Sequence, residues 1–250
     1  MPKKTSASHL PPVALVTGAG SGVGRAVVLK LAAEGWHVAL VGRRPDALAA
    51  TIALAPAAAR KRLGAFACDI GDQPAVTALA ASVLARFGQL DALINAAGTN
   101  TPRRSWSELP VAAYHELMAA NLHGPFYCVQ ALLPAMRARR AGTFVFINSE
   151  AGLKASPKAG VAYVASKFGL TGLAQSLNAE ERPNGLRACS IFPGDIDTDI
   201  LNKRPVPRGH RGTARAPALI FSSGAPLYGN RRSTLTRSRP TRDSNAESGT

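Results

Sequence analysis

Tyr163 and Lys167 stand four residues apart in a stretch with helical periodicity, 161–182, which sets both on one face of a helix. An ammonium beside a phenol favours the phenolate and draws its pKa from about 10 toward neutrality. A tyrosine so tuned can give a proton to a carbonyl oxygen or take one from an alcohol. The spacing Tyr-x-x-x-Lys is common by itself. Its place gives it meaning here, because the helix follows directly on a strand-like run ending in Asn148-Ser149.

A second chemical feature lies near the start, where TGAGSGVG (17–24) follows the run VALVTG and opens an amphipathic stretch. Gly18 allows a tight turn, Gly22 lets the backbone approach a pyrophosphate, and Gly24 permits close packing of helix on strand. The phosphates of a dinucleotide would then rest on the positive end of the helix. About 20 residues further on, an acidic side chain would accept from a ribose 2′-hydroxyl and repel a 2′-phosphate. The chain has Arg43 and Arg44 there, and a guanidinium pairs with phosphate, so NADP is favoured over NAD. No Gly-Lys dipeptide occurs, which excludes a P-loop, and no G-x-S-x-G occurs, which excludes a nucleophile elbow.

These residues need a scaffold, and the pattern of the chain supplies one. Strand-like runs at 13–18, 37–42, 64–69, 90–98, 142–149 and 186–194 alternate with helical patterns. The helical patterns cover 23–34, a stretch from about Asp46, 74–87, about 110–139 around Asn121, and 161–182. Such alternation builds βαβ units with right-handed crossovers, and therefore a doubly wound parallel α/β sheet.

With the motifs in this order, the sequence resembles the short-chain dehydrogenase/reductase family, in its single-domain branch of roughly 250 residues, over about 12–201. TGAGSGVG is similar to that family's cofactor loop, TGxxxGxG, which implies cofactor contacts at Gly18, Ser21, Gly22, Val23 and Gly24. Asp69 and Ile70 in CDI resemble the adenine-side contact. NAAG resembles the NNAG that steadies the central sheet, and implies a cofactor contact at Asn95. Asn121 matches the asparagine that holds a relay water, and Ser149 in INSEAG matches the substrate-orienting serine. YVASK carries the catalytic pair, Tyr163 and Lys167, which also touch the cofactor. PGDIDT resembles PGxxxT, implying further cofactor contacts at Pro193, Gly194, Ile196 and Thr198. The catalytic set implied by the resemblance is thus Asn121, Ser149, Tyr163 and Lys167. The implied reaction interconverts a small-molecule ketone and a secondary alcohol by hydride transfer with NADPH, on a Rossmann-like fold. Asn148 and Ala96 depart mildly from the pattern, and Glu150 adds a carboxylate beside the serine, as a surface residue or as a polar wall of the site.

Composition bounds the rest. Apolar residues make up 46% of the 250, ample for one buried core, so wholesale disorder is excluded. No run nears 18 apolar residues, and MPKKTSASHLPP has no apolar core of a signal peptide, so a cytoplasmic protein off the membrane is expected. Cys68, Cys128 and Cys189 lack the spacing of a metal site, and read as small buried thiols. The net charge of +15 is uneven. Residues 1–201 hold 20 Lys and Arg against 13 Asp and Glu, whereas 202–250 hold ten against two. Leu, Ile, Val and Phe supply only six of those last 49 residues, too few to offset the ordering of a charged segment. The organisation expected is a flexible arm over 1–11, a dinucleotide-binding catalytic domain over 12–201, and a mostly disordered basic tail over 202–250. Nothing in that tail has the pattern of the family's last strand, so the sheet is expected to lack it. The tail also puts the family's usual homo-oligomer in question. An inactive or truncated member of the family, binding cofactor poorly or not at all, is the alternative. Nucleic-acid binding through the tail is disfavoured, since Tyr228 is its one aromatic among the last 25 residues.

Overall fold

The computed structural model describes residues 11–194 and 196. The arm (save Pro11), the tail and Thr198 lie outside the described residues. Six strands form one parallel sheet, β1 (Val13–Thr17), β2 (His37–Gly42), β3 (Leu63–Ala67), β4 (Ala92–Asn95), β5 (Gly142–Ile147) and β6 (Leu186–Ile191), in the order β3-β2-β1-β4-β5-β6. The order reverses between β1 and β4, which is where a doubly wound sheet opens its ligand crevice. The helices are α1 (Gly22–Ala33), α2 (Pro45–Leu54), α3 (Ala57–Arg60), α4 (Gln73–Phe87), α5 (Val111–Met118), α6 (Gly124–Arg139) and α7 (Val161–Glu181).

The sheet divides the apolar interior into two layers. Leu15, Leu93, Phe144 and Phe146 point one way, under α4, α6 and α7, and join Val83, Leu132 and Leu170. Alternate residues, Val16, Leu40 and Ile94, point the other way and meet Val27, Val28 and Leu48 of α1 and α2. Every residue of β1 is buried, as a β-branched strand covered on both faces must be. Local signals fix the ends of elements. The Asp72 carboxylate caps α4 by accepting from the Ala75 N–H at 3.2 Å, and Gly88 closes that helix in the left-handed region at φ 73°.

Some boundaries differ from the sequence reading. The strand expected over 90–98 is only Ala92–Asn95, because the chain turns at the end of the sheet to pack against the glycine loop. The pattern over 110–139 is two helices joined by a π-helical turn, Ala119–His123, with Asn121 inside it. The short α3, beyond the break at Pro56, has no signal of its own in the sequence pattern. Cys68 and Cys128 are buried and burial pushes their thiols up, Cys128 to about 12, but Cys189 is exposed rather than buried.

Helix α7 is fixed along its length. The Asn178 amide donates to the Ala188 carbonyl at 2.7 Å and accepts from the Ala188 N–H at 2.8 Å, pairing with β6 much as a neighbouring strand would. At the helix end the fully buried Glu181 carboxylate accepts from Arg137 of α6 and, at 2.9 Å, from Asn184. Among the described residues no helix is long and apolar enough to cross a membrane.

Candidate active site

Every strand delivers part of the site at its C-terminal end. The loop after β1 carries Gly18, Ser21, Gly22, Val23 and Gly24, and a methyl group at Gly18 would lie 2.8 Å from Ala97 Cα beyond β4. Gly18 also takes φ 66°, and Gly24 lies so close to the Gly18 carbonyl that no side chain fits between them. The first helical bond of α1 is donated by Arg25 to the Ser21 carbonyl, so the N–H groups of Gly22, Val23 and Gly24 face forward out of the helix. Ser21 does not cap them, and the first turn holds no acid. Those are the conditions under which a helix end receives phosphate, so the loop fits a dinucleotide.

Two residues outside the motif hold this loop. Thr51 of α2, fully buried, donates to the Ala19 carbonyl at 2.9 Å and accepts from Arg25 Nε at 3.1 Å. Arg25 also donates to the Gly20 carbonyl. Their only sequence signal is a threonine in an alanine-rich helix, which means little without the fold.

Arg43 and Arg44 are exposed beyond β2, and Arg43 lies 3.9 Å from the Asp69 carboxylate beyond β3, so these two expected contacts share one corner. The Ile70 side chain is buried against Gly124 at the start of α6, leaving its main chain for a ligand. Asn95 ends β4 with its amide buried and with no hydrogen-bond partner among the described residues, so its side chain does not steady the sheet by hydrogen bonds. Thr17 does that, since its hydroxyl accepts from the N–H groups of both Ala96 and Ala97 at 3.1 Å. Pro193, Gly194 and Ile196 follow β6. The Pro193 carbonyl accepts from the Glu150 N–H at 3.3 Å, and a methyl group at Gly194 would sit 3.3 Å from the Glu150 carboxylate. Glu150 therefore lies across the Pro193-Gly194 turn.

The chemical residues converge at the end of β5. The Ser149 hydroxyl and the Tyr163 phenol share this end of the sheet, near enough for Ser149 to lower the phenol's pKa, and Lys167 Nζ lies 5.6 Å from the centre of the Tyr163 ring. The buried Lys167 ammonium donates to the Ile147 carbonyl at 2.9 Å, and burial lowers its pKa to about 8. In the protein alone, Lys167 does not bring the phenol toward neutrality as expected. Burial pushes Tyr163 up, while the Ser149 hydrogen bond and the Arg104 charge pull it down.

Asn121 is engaged within the protein. Its carbonyl oxygen accepts from the Thr99 N–H at 2.8 Å, and its amide donates to the Thr99 carbonyl at 2.9 Å and to Ser166 at 3.3 Å. The side chain thus grips the loop after β4. Asn148, which departs from the family pattern, makes a brace of its own. It donates to Thr171 Oγ1 at 2.9 Å and accepts from the Ser149 N–H at 3.0 Å, so it aims the serine. Among the described residues no cluster of His, Cys, Asp and Glu could hold a metal ion.

Comparison with known proteins agrees with this arrangement. Residues 12–207 match the model of the short chain dehydrogenase family. The chain is 34% identical over 192 residues to the 3β-hydroxysteroid dehydrogenase of Mediterraneibacter gnavus, covering 76% of this chain and 68% of that one. It is 36% identical over 192 residues to the NAD(+)-dependent 2-dehydro-3-deoxy-L-rhamnonate dehydrogenase of a Sphingomonas species, covering 77% and 75%. Among solved structures, a metagenomic short-chain oxidoreductase in complex with NADP superposes with a TM-score of 0.67 at 34% identity, over 74% of this chain and 83% of that one.

Proposed function

The chain belongs to the short-chain dehydrogenase family, and from that premise we propose that it is an NADP(H)-dependent oxidoreductase interconverting a ketone and a secondary alcohol. The convergence of Ser149, Tyr163 and Lys167 at the end of β5 carries this reading. When bound, the dinucleotide supplies the hydride, and the protein supplies orientation and the proton.

Ser149, aimed by Asn148, holds the substrate oxygen against the phenol. Tyr163 gives its proton to that oxygen in reduction and takes one from the alcohol in oxidation. Lys167, held behind the ring on the Ile147 carbonyl, would hold the nicotinamide ribose and tune the phenol. Asn121 keeps the Thr99 loop in place, and its main chain anchors the relay water. The glycine loop and the ends of β3, β4 and β6 bind the dinucleotide through Gly18, Ser21, Gly22, Val23, Gly24, Asp69, Ile70, Asn95, Pro193, Gly194, Ile196 and Thr198. Arg43 and Arg44, in reach of one another's corner of the crevice, select the 2′-phosphate.

The test is NADPH consumption against a panel of ketones, together with NADP reduction by 3β-hydroxysteroids and 2-dehydro-3-deoxy sugar acids, the compounds named in the two relatives. Tyr163→Phe should lose at least about 100-fold in rate while NADPH affinity stays within about twofold. A variant that kept more than about a tenth of the rate would end the proton-transfer assignment.

A further inference from the structure

Glu150 follows Ser149 directly, in the short 3₁₀ turn Glu150–Gly152 beyond β5. Both polar groups of its main chain are engaged. The N–H donates to the Pro193 carbonyl at 3.3 Å, and the carbonyl accepts from the N–H groups of Leu153 at 2.9 Å and Lys154 at 3.0 Å. The turn is closed by the Gly152 N–H on the Ser149 carbonyl at 2.8 Å and the Ala151 N–H on the Ser149 hydroxyl at 3.2 Å. The carboxylate is exposed and lies against Gly194, where an added methyl group would be 3.3 Å from Oε1 and 3.7 Å from Cδ. Among the described residues it has no hydrogen-bond or ion-pair partner, although Lys154 follows in the same loop. Between Asn148 and Gly160 it is the only acid. A fixed backbone thus presents a free negative charge between the Ser149 hydroxyl and the Pro193-Gly194 turn.

What meets that charge follows from the chemistry. A hydride donor has to touch the carbonyl carbon whose oxygen rests on Ser149 and Tyr163, so the nicotinamide end of the cofactor must reach this corner. The Pro193-Gly194 turn belongs to the strand next to β5 and bounds the same corner. Reduction of a ketone moves one hydride, with its two electrons, from a neutral dihydronicotinamide to the carbonyl carbon, and the oxygen takes the Tyr163 proton. The ring is left with one positive charge. A carboxylate already held where that charge develops stabilises it without having to reorganise. We propose that Glu150 sets the balance between the two redox forms of the cofactor, favouring the oxidised, cationic ring over the reduced, neutral one. The inference rests on the reading of Pro193 and Gly194 as cofactor contacts, and its test needs no substrate.

The other charges of the crevice do not serve this purpose. Lys167 is buried, with its ammonium on the Ile147 carbonyl behind the Tyr163 ring, and a cation there opposes a positive nicotinamide. Glu150 offsets it from the β6 side. Arg43 and Arg44 lie beyond β2, with β1 and β4 between that strand and β5. They face the 2′-phosphate, which is the same in both redox forms, so they cannot tell one from the other. A binding site shifts an equilibrium only by its differential affinity for the two states. The factor by which Glu150 favours the oxidised form is therefore the factor by which it tips the bound reactants toward the alcohol.

The experiment measures Kd for NADP⁺, NADPH, NAD⁺ and NADH by calorimetric titration in the wild type, Glu150→Gln and Glu150→Asp. Glutamine keeps the shape of the side chain and removes its charge. A unit charge a few ångströms from an opposite one changes an affinity by about fivefold even through water. Glu150→Gln should therefore weaken NADP⁺ by about threefold to fivefold and leave NADPH within about 1.5-fold. NAD⁺ and NADH should split by the same factor, because the charge concerned is on the ring and not on the 2′-phosphate. Glu150→Asp should keep most of the preference, and added salt should shrink the oxidised-to-reduced preference of the wild type. A ratio unchanged in Glu150→Gln, with both forms bound, would overturn the proposal. So would an equal loss of both forms, which would make Glu150 a support of the turn only. If Glu150→Gln does not fold, a wild-type preference that salt leaves untouched overturns it instead. A wild type that binds none of the four dinucleotides would end the cofactor reading itself, and the proposal with it.

Discussion

Thr51→Val tests whether the glycine loop is held from outside its motif. Valine keeps the shape of threonine and removes only the hydroxyl, so no cavity opens at this fully buried site. The hydroxyl has one proton, which goes to the Ala19 carbonyl at 2.9 Å with the Ala47 carbonyl as a second acceptor at 3.1 Å. It also accepts from Arg25 Nε at 3.1 Å. A lost neutral hydrogen bond costs about 1 kcal/mol, and leaving a buried carbonyl unpaired costs more, on the order of 1–3 kcal/mol. The Arg25 contact adds about 1 kcal/mol at most, because that side chain is only half-buried and water can replace the acceptor. Together these give a loss of about 2–3 kcal/mol in unfolding free energy, read by urea denaturation. If about 1 kcal/mol of this is order in the loop itself, the NADPH Kd should rise about fivefold. Thr51→Ser, which keeps the hydroxyl, should recover most of both effects. A loss under about 0.5 kcal/mol in Thr51→Val, or a serine variant as damaged as the valine one, would refute the reasoning.

The remaining predictions concern charge. Calorimetric titration should show NADPH binding at least about tenfold tighter than NADH, and Arg43→Asp should reverse much of that preference; equal wild-type affinities would remove the assignment of Arg43. Because the Lys167 pKa falls from 10.5 unfolded to about 8 folded, the unfolded chain binds more protons between those values. The cofactor-free protein should therefore gain stability, about 3 kcal/mol from this group, as pH rises from about 8 to about 10.5, and Lys167→Met should abolish the gain in denaturation measured across that range. Arg137→Met should lower stability at neutral pH by stranding the Glu181 carboxylate. Glu181 has a lowered pKa, so the stability it brings is present above the ordinary carboxylate range and lost as pH falls through the folded value. The gap between wild type and Arg137→Met should thus close in acid, and a gap independent of pH would contradict the ion-pair account.

Much of the fold could be read from the sequence because its cues are local. Apolar runs such as VALVTG, with a glycine at the end, mark strands buried on both faces, and the structure places them within a few residues of the reading. The order of the motifs likewise placed Ser149, Tyr163 and Lys167 together. What stayed hidden depends on contacts between distant parts of the chain. Thr51 reaches the glycine loop across 32 residues, Thr17 reaches Ala97 across 80, and Arg104 meets Lys158 across 54. No spacing rule links such pairs before the sheet brings them together. The π-helical turn at Asn121 was hidden for another reason, since the apolar pattern over 110–139 reads as one helix whether or not a residue bulges. The Lys167 effect on Tyr163 differs from what their spacing implies, because adjacency on a helix face says nothing of burial, which dominates both groups here.

The pairing of Asn178 with Ala188 bears on where errors in the site can arise. Near its start, α7 is tied to β5 by Lys167 on Ile147 and by Thr171 with Asn148. Further along, it is tied to β6 by a two-bond clasp, and β6 runs directly into Pro193 and Gly194. A single hydrogen bond can pivot, but two parallel ones to the same residue define a register. Sliding α7 by even one residue would break both bonds, so the helix has one indexed position along the strand. The phenol and the Pro193-Gly194 turn are thus gauged from a common rule, independently of the glycine loop on the far side of the sheet. Strain that loosens the loop around Gly18 should leave the distance between Tyr163 and Pro193 as it was, while a fault at Asn178 would leave that distance set from the β5 side alone.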